Sequence, residues 1–343
     1  PPFQKVSDAF FDYLRKFRFT GSVHAMPEGT VFFPDEPILR ITAPMIEAQI
    51  VETYLLTAVN YQTLVATKAA RVVHAARGRA VVDFGTRRAH GPQAGVLAAR
   101  ASFIGGCVGT SNVLAGYKLG IPIVGTAAHS FTMTFDTEME SFEKYHQVFP
   151  NHTILLIDTY DTIEGAKKAT QIGPKLRGVR LDSGDLVSLS KQVRQILDKA
   201  GLTDVKIVAS GDLNEYKIAD LLSQGVPIDI FGVGTELVTS RDDPTLAGVY
   251  KLVEQEKDGI VSFKLKLSSE KSTYPGKKQV YRRIDEHGNY LEDIICQESE
   301  CQGKGAKGTA TKSQQGGKRA LIVKVVENGE LCYDLPDMEE IQY

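Results

Sequence analysis

The chain has 343 residues, of which 42% are hydrophobic and 24% are charged, as in an ordinary globular protein with a sizeable core. Lys and Arg together number 40 and Asp and Glu together number 42, so the net charge of −2 excludes an overall field that would attract nucleic acid or anionic lipid. The sequence has no apolar run of the length that spans a bilayer and no signal-peptide pattern, which predicts a cytoplasmic protein without a membrane or nucleic-acid partner.

The first part of the chain combines short strands with one long helix. Residues 22–43 have the pattern of short strands joined by turns, whereas residues 46–76 are strongly helical. In the helical stretch, apolar side chains recur at spacings of three and four residues and form a stripe along one face. Members of this stripe are Ile50, Tyr54, Thr57, Ala58, Tyr61, Leu64 and Val65.

A repeating unit follows, in which an apolar run leads through a polar turn into a stretch with helical periodicity. Strands and helices that alternate in this way predict a parallel sheet. The predicted strands are 80–84, 121–124, 154–157, 178–181, 205–209 and 228–231, and the predicted helices are 91–119 (two helices), 136–148, 161–171, 186–200 and 214–224.

Polar, small and charged residues gather in the turn after every predicted strand. In a closed barrel the active site is built from all of these loops, whereas an open sheet concentrates its chemistry at one switch point. Rich turns after every strand therefore favour an α/β barrel. The turns are GTRRAHG (85–91), GTAAHS (125–130), DTYD (158–161), DSGD (182–185), SGDLNE (210–215) and GVGTEL (232–237).

The C-terminal part of the chain is predicted to be rich in strands. Strand-like runs begin near residue 249, and the sequences DEHGN (285–289) and ENGE (327–330) are typical of hairpin turns. Residues 303–318 are rich in Gly and Lys and are predicted to form a flexible loop. We expect residues 1–76 and 249–343 to form a satellite domain beside a barrel domain of residues 77–248.

The four cysteines do not have the spacing of a metal site. Four residues separate Cys296 from Cys301, and Cys107 and Cys332 lie far from both. A zinc knuckle needs a tighter pair and a second pair. We expect reduced thiols, as is usual in the cytoplasm.

Several turns carry groups that suit a phosphorylated sugar. The guanidinium groups of Arg87 and Arg88 are of the kind that binds phosphate or carboxylate. Asp182 lies near a glycine, where a carboxylate can accept from sugar hydroxyls or hold Mg²⁺ through its water, whereas Asp185 is expected to cap the following helix. The glycines of GVGT free backbone N–H groups for an anion.

His129 lies at the exit of a predicted strand, among small residues. A single histidine in such a turn is most simply a solvated or hydrogen-bonded loop residue. Asp161 leaves a neighbouring predicted strand, and a carboxylate there would fix the imidazole tautomer and stabilise its charged form. Beside the phosphosugar turns, this pair suggests a catalytic histidine.

Five motifs, taken together in this order and spacing, resemble those of nicotinate phosphoribosyltransferases: FGTRRAHG, GTAAHSF, VRLDSGDL, ASGDLNEYKI and FGVGTELVTS. The resemblance includes ETYLLTAVNYQTLVATKAARV (52–72) and covers nearly the whole chain. It implies an irregular parallel α/β barrel beside an α/β sandwich, in a homodimer with shared active sites. It also implies that nicotinate and phosphoribosyl pyrophosphate give nicotinate mononucleotide and pyrophosphate. ATP hydrolysis would be coupled through a phosphorylated histidine, with Mg²⁺ required.

The resemblance implies roles for individual residues. It makes His129 the phosphoacceptor and Asp161 its orienting carboxylate, and it places Phe84 and Arg180 at the pyridine ring. No side chain is assigned as a direct metal ligand. The remaining predicted substrate-binding residues are Arg87 and Arg88 for phosphate and pyrophosphate, Asp182 and Asp212 for the ribose hydroxyls, Gly232 and Gly234 for the 5′-phosphate, and Ser111, Ser210, Gly211 and Thr235 in the same loops.

Three alternatives remain beside this interpretation. A nicotinamide phosphoribosyltransferase would need a carboxylate to accept from the amide, but the loop 109–112 has no acid, and its hydroxyls and Arg180 suit a nicotinate carboxylate. A catalytically silent phosphosugar-binding homologue would leave the presence of both His129 and Asp161 unexplained. A quinolinate phosphoribosyltransferase needs no phosphohistidine and leaves the GTAAHS loop unexplained.

Overall fold

The computed structural model describes residues 6–266, 274–301 and 317–342, and the chain divides into two compact units. The smaller unit comprises Pro1–Thr57 and Gly248–Pro336, and the larger unit comprises Ala58–Ala247 and Asp337–Tyr343. The boundary between residues 57 and 58 lies inside the long N-terminal helix. Among the described residues, no helix combines the length and the apolar character needed to cross a membrane.

The chain begins with a short helix and two strands and then enters its longest helix. The long helix starts and ends within one residue of the predicted 46–76. Leu64 and Val65 of the predicted stripe are buried, as are Ala69 and Val72 beyond it, whereas Ile50 and Tyr54 are exposed. These elements are α1 (Asp8–Arg15), β1 (Ser22–Ala25), β2 (Leu39–Thr42) and α2 (Met45–Ala75).

The larger unit alternates strands and helices, as the sequence predicts. Its strands are β3 (Ala80–Asp83), β4 (Gly109–Thr110), β5 (Ile154–Leu156), β6 (Gly178–Leu181), β7 (Lys206–Ala209) and β8 (Ile230–Val233). Its helices are α3 (Pro92–Ile104), α4 (Val113–Leu119), α5 (His129–Thr132), α6 (Glu138–Val148), α7 (Thr162–Thr170), α8 (Leu186–Lys199), α9 (Glu215–Ser223) and α10 (Thr235–Val238).

These strands form one parallel, curled sheet with the order β4-β3-β8-β7-β6-β5. The sheet covers part of a barrel, so the predicted irregular parallel α/β barrel is confirmed. Its core is built from strand side chains such as Val179, Ile207 and Phe231, which are fully buried against the surrounding helices. Because the strands are parallel, their carboxyl ends share one edge of the sheet, and the polar turns lie there.

One predicted strand is reduced to a single bridge. Among the described residues, 121–124 pair with the sheet through a single bridge between Thr110 and Ile123, beside the two-residue strand β4. The Pro122 carbonyl accepts from the Thr110 N–H at 3.0 Å, but proline has no N–H to return. A longer ladder is therefore prevented at this position.

Several polar residues in the loops of the larger unit cap the helix that follows. Each accepts a hydrogen bond from a backbone N–H of the first helical turn, which stabilises the start of the helix. The prediction that Asp185 caps α8 is confirmed, since it accepts from Val187 and Ser188. The other caps of this kind are Asn112, Thr137, Asp161 and Asn214.

The smaller unit is built from antiparallel strands. Both predicted hairpins are present, with turns at residues 285–289 and 328–329. Residues 248–253, which we expect to be a strand, belong to no strand in the described part of the chain. The sheets have the orders β15-β14-β1-β2, β12-β11-β13 and β10-β9, with β9 (Glu254–Lys257), β10 (Ile260–Phe263), β11 (Lys278–Ile284), β12 (Tyr290–Gln297), β13 (Gly317–Ala320), β14 (Val323–Glu327) and β15 (Glu330–Leu331).

Two short helices complete the chain, α11 (Glu298–Cys301) and α12 (Met338–Gln342). The predicted loop 303–318 lies outside the described residues, except that positions 317 and 318 begin β13. Cys107 and Cys332 are free thiols, but Cys296 is disulfide-bonded, so the expectation of reduced thiols is wrong for Cys296.

Candidate functional site

Arg180 joins the turns that follow strands β6 and β7 to the turn that follows the bridged segment 121–124. It lies on β6, and its guanidinium donates from Nε to Ser210 Oγ at 2.8 Å and from Nη2 to Asp182 Oδ1 at 2.7 Å. Its Nη1 donates to Thr126 Oγ1 at 2.7 Å. Ser210 Oγ also lies 2.5 Å from Asp182 Oδ1. One side chain therefore holds the loops beginning at residues 125, 182 and 210 in a fixed arrangement.

Phe84 provides a flat apolar surface beside this guanidinium. The Cζ atom of Arg180 lies 5.2 Å from the centroid of the Phe84 ring. A Cβ atom at Gly232 would lie 2.4 Å from Phe84 Cδ2, so the ring can occupy this place only because position 232 is glycine. The two side chains form a surface suited to an aromatic ring with an anionic substituent.

His129 begins the short helix α5, and its ring faces two carboxylates. Its Nδ1 lies 3.2 Å from Thr159 Oγ1. Its Nε2 lies 3.7 Å from Asp182 Oδ2 and 4.0 Å from Asp158 Oδ1. The ring is 40% exposed, so it is held on one side and accessible on the other.

Asp158 is the buried carboxylate of this group. Its Oδ2 accepts from the Asp182 N–H at 2.8 Å and from Ser183 Oγ at 2.7 Å. Its Oδ1 is buried and accepts no hydrogen bond from the described residues, although His129 lies 4.0 Å away. A buried carboxylate oxygen without a donor is costly unless a cation or a protonated imidazole faces it.

The predicted pairing of Asp161 with His129 is absent from the structure. Asp161 is exposed and accepts from the Glu164 N–H at 2.8 Å as the N-cap of α7. A short aspartate that bends back on its own helix in this way is not directed toward a neighbouring loop. Asp158, three residues earlier in the same turn, has the position that we expected for Asp161.

Asp182 is held in its charged form. Burial raises the pKa of its carboxyl, but the hydrogen bond from Ser210 and the charge and hydrogen bond of Arg180 outweigh that effect, with a further contribution from His129. The pKa of Asp182 therefore lies below its usual value. An anionic Oδ2 is available to accept from a ligand hydroxyl.

A second buried aspartate, Asp83, supports the opposite side of the site. Its carboxylate accepts from the Gly85 N–H and from Thr110 Oγ1, both at 2.7 Å. Its own carbonyl accepts from the Ser111 N–H at 2.9 Å. Burial raises the pKa of this carboxyl, although both hydrogen bonds oppose the shift. Asp83 therefore joins the Phe84 turn to the Ser111 turn.

The other predicted residues lie in the expected loops. Arg87 and Arg88 are exposed on a single 3₁₀ turn and have no ion pair within the described ranges. Gly211 has φ +102° and Asp212 has φ +47°, so this turn is left-handed at two consecutive residues. A Cβ at Gly211 would lie 2.2 Å from the Asp182 carbonyl oxygen, which requires glycine there. Gly234 and Thr235 begin α10.

Comparison with known proteins decides the family. The family model described as "Nicotinate phosphoribosyltransferase (NAPRTase) family" matches residues 79–266, and the model of the NAPRTase N-terminal domain matches residues 2–60. The chain belongs to the nicotinate phosphoribosyltransferase family.

Curated relatives agree with this assignment. The chain is 50% identical over 302 residues to nicotinate phosphoribosyltransferase pncB2 of Mycobacterium tuberculosis, with 86% of this chain and 64% of that protein covered. It is 47% identical over 278 residues to the Bacillus subtilis nicotinate phosphoribosyltransferase, with 78% and 56% covered. The chain thus spans less than two thirds of the length of these relatives.

Solved structures of similar fold extend over nearly the whole chain. The human nicotinic acid phosphoribosyltransferase superposes with a TM-score of 0.79 at 27% identity, covering 99% of this chain and 78% of the human one. A protein from Pyrococcus furiosus described as nicotinate-nucleotide pyrophosphorylase superposes with a TM-score of 0.78 at 30% identity, covering 96% and 81%.

In this member of the nicotinate phosphoribosyltransferase family, sequence reasoning missed four residues that the structure places at the site. Asp158 could have been found, because Asp161 and Glu164 have the spacing of a capping box, which marks Asp161 as the helix cap. The other three had no signal, since Asp83 lies within an apolar run and threonines are common in turns. They are Asp83, Thr126 and Thr159.

Proposed function

We propose that the chain is a nicotinate phosphoribosyltransferase of NAD biosynthesis, which joins nicotinate to phosphoribosyl pyrophosphate and releases nicotinate mononucleotide and pyrophosphate. Membership of the family supports this proposal. The observation that carries it is the position of Arg180 beside the ring of Phe84, because a ring next to a guanidinium suits an aromatic carboxylate.

The groups that remain available at the site favour nicotinate over nicotinamide. Arg180 uses one N–H on each of Ser210, Asp182 and Thr126, which leaves two of its five N–H groups for a ligand. The Ser111 hydroxyl has no hydrogen-bond partner in the part of the chain that is described. Both groups can donate to a carboxylate, and the guanidinium, which has no acceptor, cannot accept from an amide N–H.

The phosphoribosyl group is proposed to lie across the turns that follow β6, β7 and β8. Asp182 Oδ2 and the exposed Asp212 carboxylate would accept from the ribose hydroxyls. The backbone around Gly234 would receive the 5′-phosphate. Arg87 and Arg88 would bind phosphate or pyrophosphate, for which an unpaired guanidinium is well suited.

We further propose that ATP hydrolysis is coupled to transfer through His129. ATP would give its γ-phosphate to a ring nitrogen with release of ADP, and water would later cleave the phosphohistidine. The contacts of the ring support this role, because Thr159 lies beside Nδ1 while Asp158 and Asp182 lie beside Nε2, so that both sides of the ring are restrained.

The donor groups at His129 fit Mg²⁺. This ion prefers carboxylate oxygens and keeps several waters, so one or two carboxylates plus substrate phosphates suffice to hold it. Asp158 Oδ1 and Asp182 Oδ2 are the oxygens that would contribute. Within the described ranges, no group of three or more His, Cys, Asp or Glu side chains has the arrangement of an all-protein metal site. Bound here, Mg²⁺ would offset the phosphate charge.

A homodimer is proposed as the working assembly, with light scattering as its test. Helix α4 supports this proposal because it exposes Val113, Leu114 and Tyr117, and clustered exposed apolar side chains are typical of interaction surfaces. A stable, active monomer would contradict it. The cytoplasmic location stays a prediction.

The decisive experiment compares nicotinate with nicotinamide, each with phosphoribosyl pyrophosphate and Mg²⁺, with and without ATP. We expect mononucleotide from nicotinate, more of it with ATP, and incorporation of acid-labile ³²P from γ-labelled ATP. Equal use of nicotinamide would contradict the assignment of the base. No turnover of either base, despite binding of phosphoribosyl pyrophosphate, would indicate a silent homologue.

His129→Ala tests the coupling separately from the transfer. The variant should lose phosphoenzyme formation and ATP stimulation but keep slow ATP-independent transfer, because the phosphoribosyl loops are unchanged. His152→Ala is the matched control, since His152 is exposed just before β5, at the opposite end of the strands. If His129→Ala still incorporates label and keeps its ATP stimulation, His129 is only a loop residue.

A further inference from the structure

Lys68 is a buried cation that three carboxylates surround. It lies on α2, and its side chain is 1% exposed. Its Nζ lies 2.8 Å from Glu215 Oε2, 2.9 Å from Asp242 Oδ1 and 3.8 Å from Glu236 Oε2. Arg71, one turn along the helix, also pairs with Glu215 at 3.1 Å and with Asp242 at 2.6 Å.

The carboxylates around Lys68 belong to segments that follow two neighbouring strands. Glu215 begins α9, directly after the turn of residues 210–214 that leaves β7. Glu236 and Asp242 lie in and after α10, which follows the Gly234 turn that leaves β8. One ammonium group therefore connects the two turns in which the ribose and 5′-phosphate sites are proposed.

Other residues of α2 hold the same segment after β8. The Tyr61 hydroxyl donates to the Val238 carbonyl at 2.9 Å. Asn60 Oδ1 accepts from the Leu246 N–H at 2.7 Å. Helix α2 thus holds this segment through these hydrogen bonds, and Lys68 is the residue of α2 that also pairs with Glu215, directly after the β7 turn.

The three carboxylates face three cations, since Arg241 pairs with Glu236 at 3.2 Å in addition to the contacts of Lys68 and Arg71, so Lys68 is not a free cation for a ligand. Burial lowers the pKa of Lys68, but the hydrogen bonds and charges of Glu215 and Asp242 outweigh that effect and raise it. Lys68 is therefore charged. Its ammonium is already shared among protein carboxylates, and any influence on a bound substrate must pass through the positions of the two turns.

We propose that Lys68 is a positioning residue for phosphoribosyl binding, which acts by holding Glu215 and Asp242 so that the turns after β7 and β8 keep their mutual position. The identity of the substrate in this inference rests on the proposed function, whereas the connection that Lys68 makes between the two turns does not. Small displacements of substrate-positioning groups cost about 10²-fold in rate, so loosening these turns should be measurable.

The test compares Lys68→Met and Asp242→Asn with the unchanged chain. Lys68→Met removes the ammonium at similar volume, and Asp242→Asn weakens only the connection to the β8 segment. Lys206→Met is the matched control, because Lys206 forms an exposed 3.2 Å pair with Asp229 at the opposite end of β7. The measurements are the affinity for phosphoribosyl pyrophosphate by calorimetry, the KM for nicotinate, and amide hydrogen exchange.

We expect both variants to bind phosphoribosyl pyrophosphate about tenfold or more weakly, with the KM for nicotinate nearly unchanged. Hydrogen exchange should increase at residues 210–214 in Lys68→Met and at residues 234–242 in both variants, but not at 158–161. Lys68→Arg should restore part of the affinity. If Lys68→Met does not fold, Asp242→Asn decides the question alone.

Unchanged affinity and unchanged exchange in the two turns would overturn the proposal, as would an equal rise of exchange throughout the larger unit, which would show a purely structural role. If the unchanged chain has no transferase activity, the proposed function fails, whereas the exchange pattern still tests whether Lys68 holds the turns.

Discussion

The two units of the molecule each contain an arginine–aspartate pair beside an aromatic ring. The pairs differ in the hydrogen-bond donors and acceptors that they leave available to a ligand. In the smaller unit, Arg282 donates from Nε and Nη2 to the two oxygens of Asp293 at 2.9 and 2.5 Å. Its guanidinium lies 4.1 Å from the ring centroid of Tyr290. Arg282 is 2% exposed, so the pair is closed to ligands.

In the larger unit, Arg180 divides its donors among Ser210, Asp182 and Thr126 and is 15% exposed. Asp182 accepts through Oδ1 and leaves Oδ2 facing His129. The same residue types thus make a structural pair where every oxygen is satisfied and a candidate binding site where donors and acceptors remain. Residue identity alone does not distinguish the two cases.

The largest expected effect comes from removing each arginine in turn. Arg282→Met leaves Asp293 without its buried partner, and breaking a buried pair in this way costs about 3–5 kcal/mol of unfolding free energy. Arg180→Met should mainly abolish nicotinate turnover, with a smaller loss of stability. Urea unfolding and kcat/KM for nicotinate measure the two effects. If an Arg180 variant keeps full activity, Arg180 does not bind the substrate, and the two arginine–aspartate pairs do not differ in function.

The next effect separates the two aspartates of the DTYD turn. Asp158→Asn removes a negative charge 4.0 Å from His129 Nε2 and should reduce the proposed phosphorylation of the ring about tenfold or more, equivalent to about 1.4 kcal/mol, because the ring loses a charge that helps to orient it. Asp161→Asn is the control, because asparagine caps a helix as well as aspartate does. Acid-labile ³²P incorporation is the readout, and a larger loss in Asp161→Asn would contradict the structure.

Much of this arrangement can be predicted from the sequence, because it depends on local patterns. The periodicity of α2, the alternation of strands with helices, and the polar turns at the strand exits follow from the spacing of apolar residues. These patterns also identify the turns that hold His129 and Asp182 and the strand that holds Arg180. The short strand β4 and the reduced 121–124 segment are not predictable in this way, because their pairing depends on Pro122 and on neighbours distant in sequence.

Contacts between distant residues are what the sequence does not show. Arg282 and Lys68 look like ordinary charged positions in a strand and a helix, yet both are among the most buried side chains of the chain. Their partners are separated from them by 11 and 147 residues. Asp158 and Asp161 are equally plausible on sequence alone unless the helix cap is recognised first.

A smaller effect comes from adding a carboxylate to the larger unit's site. Ser111→Asp would place a negative charge in the turn that Asp83 supports, where the proposed ligand is itself a carboxylate. The KM for nicotinate should rise about tenfold, equivalent to about 1.4 kcal/mol, while use of nicotinamide should not fall. Ser111→Asn has similar volume without the charge and is the control. An equal rise in both variants would indicate a steric effect.

The smallest expected effect lies at the closed pair of the smaller unit and depends on pH. Burial and a hydrogen bond to Asp293 raise the pKa of Glu36 to about 6, with Phe33 and Arg282 opposing. The folded chain therefore keeps this proton at a pH where the unfolded chain has lost it, so the stabilisation is complete below about pH 4.5 and is lost as the pH rises through 6.

Glu36→Gln should remove that loss and raise the unfolding free energy near pH 7.5 by about 1 kcal/mol, a value reduced for partial exposure of the group. Glu292→Gln alters an exposed pair with Arg283 on the adjacent strands and should keep the original pH dependence. Urea midpoints between pH 4.5 and 8 measure both variants. If the urea midpoints of Glu36→Gln and of the unchanged chain depend on pH in the same way, Glu36 does not contribute to the pH dependence of stability at the Arg282–Asp293 pair.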